Sequence, residues 1–172
     1  MEHDKGTLEA SARDVAYEVQ MLIHVADAFP GGQRIIESVE DRNVFLESFL
    51  VHARVVDEFL RSTPNRDDIT AEHYLPSWTG RSILTDVERL AIDKQVAHLT
   101  AARRDKIKFP VMAVARRLAV EFLDFCTQLY ARDGGTWAWF LDAQVAAEDW
   151  LPSSVPESTT GTSIDEVYLS GS

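Results

Sequence analysis

Two histidines, His52 and His98, each fall in the middle of a run whose apolar residues recur at helical spacing, and a dense basic cluster follows the second. Imidazole changes charge near neutral pH, so an inward-facing histidine is a candidate general acid, general base or metal ligand. His52 stands among Phe45, Phe49, Val56 and Phe59, flanked by Leu46, Ala53 and Leu60. With Arg54 two positions on, it makes one candidate polar site. His98 shares a helical wheel with Val87, Ala91 and Ala101 and leads into Arg103, Arg104, Lys106 and Lys108, with Arg116 and Arg117 beyond. An arginine that stabilises charge at a phosphate, beside a histidine that moves a proton, is the equipment of RNA cleavage. On that reading His98, Arg103 and Arg104 are the catalytic candidates, and the Arg103–Arg117 cluster is the RNA contact. A structural explanation stands beside it: buried histidines are usually hydrogen-bonded within a core, and cations at a helix C-terminus offset its negative end.

A metal centre is a further alternative, assembled from His52, His73 and His98 with a carboxylate such as Asp93 or Glu121. The chain lacks the paired Glu-x-x-His spacing of di-iron bundles and any His-Glu-x-x-His, and has neither a nucleophile elbow nor a glycine-rich phosphate loop. No cofactor is expected. Cys126 lies inside an apolar stripe and reads as a small buried hydrophobe.

The elements that must position these residues read as helices. Leu8, Ala12, Val15, Val19, Leu22, Ile23 and Ala26 predict a helix over 7–29, capped by Thr7 and stopped by Pro30-Gly31-Gly32. A second spans 33–60, with a break expected within 40–43. The connection 62–81 is expected to hold a short helix over 68–75, with Tyr74, Leu75 and Trp78 as an apolar plug. A third helix is expected from Ser82 or Thr85 to Lys106, burying Ile83, Leu84, Val87, Leu90, Ala91, Ala101 and Ala102. A fourth runs from Phe109-Pro110 to Gly134-Gly135. Thr136 is expected to cap a fifth, ending at Trp150, whose Trp137–Trp150 region suits a protein partner or a homo-oligomer. The Ser-, Thr- and Pro-rich end, with its IDEVYL segment, reads as a tail. The expected fold is therefore all-α, a four- to five-helix bundle over 1–151 with a flexible C-terminal tail over 152–172.

Composition narrows the partners. A formal net charge of −11 over 172 residues, with a pI near 4.8, disfavours a protein that coats nucleic acid or anionic membrane by bulk attraction. One cysteine permits no intrachain disulfide, and the polar, acidic start is unlike a secretory signal. These features lead to the expectation of a cytoplasmic protein that does not enter membranes.

Three pieces, RNVFLESFLVHARVVDEFL, DDITAEHYLPSW and IDKQVAHLTAARRD, together resemble a group of uncharacterised bacterial all-helical proteins, in which HAR and AHLT elements occur on neighbouring helices. More remotely, the bundle with polar residues at a helix end is similar to HEPN domains. That resemblance implies either a metal-independent ribonuclease or a non-catalytic partner in a toxin–antitoxin or phage-defence system. HEPN enzymes place an arginine a few residues before a histidine. Here Arg103 follows His98, and Arg42 stands too far before His52. The order favours the non-catalytic kind: an interaction or regulatory protein.

Overall fold

Helix α1, Lys5–Ala26, buries Ala12, Val15, Val19, Leu22, Ile23 and Ala26, the stripe its sequence predicts. In this computed structural model residues 3–29, 38–61, 68–80, 82–94, 107–153 and 167–169 are described. The cap of α1 is Asp4, not Thr7: the Asp4 carboxylate accepts the Thr7 backbone N–H at 2.9 Å and the Thr7 hydroxyl at 3.1 Å. An anion at the positive end of a helix satisfies its first free N–H groups. Helix α2, Val39–Leu60, starts at Ser38, whose hydroxyl accepts from the Asp41 N–H, and it runs unbroken through Glu40, Asp41, Arg42 and Asn43. No break therefore occurs there.

The short α3, Ala71–Tyr74, falls inside the expected segment. Its surroundings form the plug: the Tyr74 hydroxyl donates to the Leu8 carbonyl at 2.8 Å, and the Trp78 indole N–H donates to the Leu60 carbonyl at 2.8 Å. Gly80 is required by this second contact, since a Cβ there would lie 1.8 Å from the Leu60 oxygen and 2.3 Å from the indole nitrogen. No other residue type fits that approach.

The third helix differs from expectation. Helix α4, Asp86–Ile92, is capped by Thr85 in a capping box with Glu88, and Asp93 and Lys94 continue it in a wider π turn. Its buried residues are Glu88, Ala91 and Ile92, whereas Val87 is 74% exposed and Leu90 53% exposed. The apolar pattern misplaced the face because Glu88 is drawn inward by polar bonds that hydropathy does not register. The inward placing of His98 leaned on Val87 and loses that support; His98 itself lies outside the described residues.

Helix α5, Val111–Arg132, follows Pro110 and is the most continuously buried element, from Val111 through Leu118 and Phe122 to Leu129. The chain turns at Asp133, whose carboxylate accepts the Gly135 and Thr136 N–H groups and the Thr136 hydroxyl. Asp133 thus does the capping expected of Thr136. The expected fifth helix is α6, Gly134–Trp137, a 3-10 turn over Ala138–Phe140, and α7, Leu141–Ser153. Helix α1 packs on α2, α5 and α7, and α2 packs on α5. Phe59, Phe122, Phe125 and Phe140 interlock edge to face at the centre, with Tyr74 and Trp78 closing the cluster.

The fold is an all-α bundle with one addition. Strand β1, Ile107–Phe109, pairs antiparallel with β2, Val167–Leu169, so that Phe109 stands opposite Val167. The expected tail is therefore docked at β2; its segment 154–166 lies outside the described residues.

One polar contact joins these layers. The Asp57 side chain, 1% exposed, accepts the Ile83 and Leu84 N–H groups at 2.6 and 2.8 Å and the Ser82 hydroxyl at 3.0 Å, with Arg89 at 3.6 Å. Asp57→Ala leaves those part-buried donors unpaired, and is expected to cost roughly 3 kcal/mol, measured by urea unfolding; Asp57→Asn should retain part of it.

The exposed caps predict a pH dependence. The Thr7 N–H, then the Thr7 hydroxyl, hold the Asp4 carboxyl below its usual 3.8, and the Thr136 hydroxyl, then its N–H, do the same for Asp133. A depressed native value stabilises the fold above pH 3.8 and the contribution is lost as pH falls through that native value. Thermal melts between about pH 5 and 2 should show a shallower acid limb when both are changed to Asn.

Candidate functional site

His52 is buried on α2 where that helix meets α1, and its Nδ1 lies 2.6 Å from the Glu18 Oε2. Glu18 comes from the α1 turn that also presents Tyr17, whose ring stands edge-on to the imidazole with centroids 6.3 Å apart. Helical geometry brings this about: His52 borders the Phe45–Phe59 side that packs on α1, so its side chain reaches across the seam between the two helices. A carboxylate only accepts hydrogen bonds, so Nδ1 carries the proton and a neutral His52 presents Nε2 as an acceptor. Among the described residues Arg61 Nε is the one buried side-chain nitrogen or oxygen without a partner. The Nε2 of His52 makes no hydrogen bond among the described residues.

The pair reproduces two parts of a base-and-orienter arrangement. A nucleophile hydrogen-bonded to the ring is missing among the described residues. Ser48, one turn earlier on α2, forms no hydrogen bond with it.

Arg54 turns the other way. Its Nε donates to Glu58 and its Nη1 to Asp93, each at 2.9 Å, tying α2 to the end of α4. The Glu58 hydrogen bond raises the guanidinium above its ordinary value. His52 and Arg54 are thus close in sequence but occupied on different neighbours, α1 and α4. Their shared helix does not make them one site.

His73 sits on α3, where its Nδ1 accepts the Thr70 N–H at 3.0 Å and its ring meets His3 edge-on at 5.0 Å. Among the described residues no three His, Cys, Asp or Glu side chains are grouped to hold a metal ion. His98, Arg103, Arg104 and Lys106 lie outside the described residues, so no geometry joins them to His52 or His73. Of the basic cluster, Arg117 is engaged with the Ile83 carbonyl at 3.3 Å and with Glu88 at 2.5 Å. It lines a shallow groove of about 410 Å³ with Ser82, Ile83, Arg116, Val120 and Glu121. Arg117 holds α4 to α5 at the first turn of α4, not at the C-terminal end where a helix-capping cation was expected.

Cys126 is fully buried in α5, and burial, then the charge of Glu148, pushes its thiol far up, away from nucleophilic use. The tryptophans divide. Trp150 is buried and donates to Asp27 at 2.8 Å, while Trp137 is half-buried beneath Tyr130, with ring centroids 4.8 Å apart, and donates to Gln144 at 2.6 Å. Tyr130 is 61% exposed, and Leu141 and Val145, which share a side of α7 with Gln144 by helical spacing, are exposed too.

Sequence reasoning missed Glu18 as the partner of His52. Its signal is present: Glu18 is a carboxylate beside the buried Val19 and Val15 on a helix that packs on α2, although no local spacing links residues 34 positions apart.

No protein-family model, curated protein sequence or solved structure matches this chain. Among the described residues no helix is long and apolar enough to cross a membrane.

The Glu18 contact is tested by the tautomer of His52. Nitrogen shifts of the imidazole at neutral to mildly alkaline pH should report the Nδ1–H form. Glu18→Ala should return the ring to Nε2–H and lower stability by roughly 1–2 kcal/mol, the usual loss for a partly buried charged hydrogen bond.

Proposed function

We propose that this chain is a non-catalytic helical bundle acting as an interaction or regulatory protein in the cytoplasm. It would be of the HEPN-like kind that serves as a partner in bacterial toxin–antitoxin or phage-defence systems. The observation that carries the reading is the surface formed by Tyr130, Trp137, Leu141 and Val145, where large apolar and aromatic side chains are presented to solvent around polar Gln144. Aromatic groups with a polar handle are what the centres of protein interfaces are enriched in. The polar commitments between elements support the same reading: His52, Arg54, Asp57, Glu88 and Arg117 all bind neighbouring helices or loops.

Ribonuclease activity would require His98 with Arg103 or Arg104. The described residues contribute nothing to that constellation, and the Arg–His order departs from the enzymatic one.

A protein partner cross-linked to the intact chain in cells of its source should be retained by wild type and lost with Tyr130→Ala combined with Leu141→Glu. Each change lies at an exposed position, so circular dichroism should stay unchanged. Purified chain should leave labelled RNA intact. RNA cleavage that disappears in His98→Ala would overturn the proposal in favour of an enzyme.

A further inference from the structure

Among the described residues β2 is the one element beyond α7, and it is held by one principal contact. It pairs antiparallel with β1, Tyr168 standing opposite Lys108. The helices α1, α2, α5 and α7 pack on one another, whereas β2 packs on β1 and has no comparable second neighbour among the described elements. The two strands are therefore anchored unequally. β1 leads through Pro110 straight into α5, and its Phe109, 1% exposed, stands edge-on to Phe49 of α2 with ring centroids 6.1 Å apart. β2 has only a ladder of three residues a side.

A two-stranded ribbon is marginal in water unless a helix or a further strand supports it. Here the support lies on the β1 side, which makes β1 the standing acceptor and β2 the removable part. The ladder bonds of so short a strand exchange for water at little net loss, and closing the connection back from α7 costs chain entropy. The sequence of β1 fits an edge that is uncovered part of the time. It is three residues long, carries Lys108 at its centre and is followed by Pro110. Short length, a lysine and a proline are the devices by which proteins keep an open edge from pairing indiscriminately. Val167-Tyr168-Leu169, in turn, is a β-branched, aromatic and apolar run in a stretch otherwise rich in Ser, Thr and Gly. That is the composition of a segment that joins a sheet through its backbone.

We infer that β1 is a strand-accepting site and that the chain's own Val167–Leu169 segment is its reversible occupant, docked in cis by strand addition. Recognition is through main-chain hydrogen bonds in the observed register, with Ile107 opposite Leu169 and Phe109 opposite Val167. Release uncovers a strand edge at the entry to α5 and leaves the helical core closed. The site is separate from the Tyr130–Val145 surface, and the inference does not rest on the interaction reading.

Hydrogen exchange and peptide binding on the full chain test it. Wild type should show protected amides within 107–109 and 167–169, to an extent independent of protein concentration. Val167→Pro combined with Tyr168→Pro removes a ladder N–H whichever of the two residues faces β1. That variant should lose the protection and keep its helical circular dichroism. A fluorescein-labelled peptide of residues 163–171 should bind it about tenfold or more tightly than it binds wild type, whose site is already filled in most molecules. The same peptide carrying both prolines should bind neither. Unprotected amides in wild type, or a peptide bound equally by wild type and variant or by neither, overturn the inference. A variant that loses its helices also overturns it, because the segment would then be part of the core. Protection that rises with protein concentration does so too, by assigning the strand to a second copy.

Discussion

The Asp57 carboxylate is the contact on which the architecture depends. It sits in the dry interior of α2 and is saturated by donors from a segment 25–27 residues away: the Ser82 hydroxyl and the Ile83 and Leu84 N–H groups. A buried charge is tolerable only with such complete pairing. Because the donors are mostly backbone, they fix the path of the chain into α4. Arg89 adds its charge from the first turns of α4, and Glu88, one residue before it, engages Arg117 of α5. One carboxylate therefore sets the position of α4, and through it the polar seam between α4 and α5. Nearby, the Trp78–Leu60 bond, with Gly80 pressed against it, closes the same connection from its other end.

Helix α2 is consequently a hub with five differently employed sides. Phe49, Leu50 and Ala53 enter the core; His52 reaches Glu18 on α1; Arg54 reaches Asp93 beyond α4; Asp57 receives the Ser82–Leu84 turn; and Val44, Val51 and Val55 look outward. These assignments follow from 100° of rotation per residue and from which neighbour lies in each direction. The closeness of His52 and Arg54 in sequence is thus no guide to shared chemistry. Two positions along a helix point the side chains about 200° apart.

The all-α class was legible because periodic apolar residues and helix-stopping residues are local signals, and α5 and α1 display them without competition. The failures share one physical cause. On α4, Val87 and Leu90 looked like core, but Glu88 occupies the interior because Thr85 and Arg117 satisfy it. Thr7 and Thr136 looked like caps; the aspartates three residues before each hold the caps instead, and the threonines bond to them. An Asp-x-x-Thr pair contains two plausible caps, and the carboxylate, with two acceptor oxygens and a charge matched to the helix end, takes the position. The Glu18–His52 contact and the pairing of β1 with β2 were beyond reach for a different reason: each joins segments whose separation is set by the packing of everything between them.

The same polar commitments bear on where activity can reside. Apart from His52, the buried titratable groups among the described residues have their bonding capacity engaged or their reactivity suppressed: Asp57 by three donors, Glu88 by Thr85 and Arg117, Tyr74 by the Leu8 carbonyl with burial raising its hydroxyl far above the usual range, and Cys126 by desolvation. Catalytic groups need the opposite condition, a perturbed group held ready with an unfilled place beside it for the reacting atom. His52 comes nearest, since Glu18 orients it, yet among the described residues its ring meets Tyr17 and no nucleophile or set of donors. Among the described residues the buried polar groups are thus engaged in holding the helices together, while Val44, Val51, Tyr130 and Val145 stay exposed.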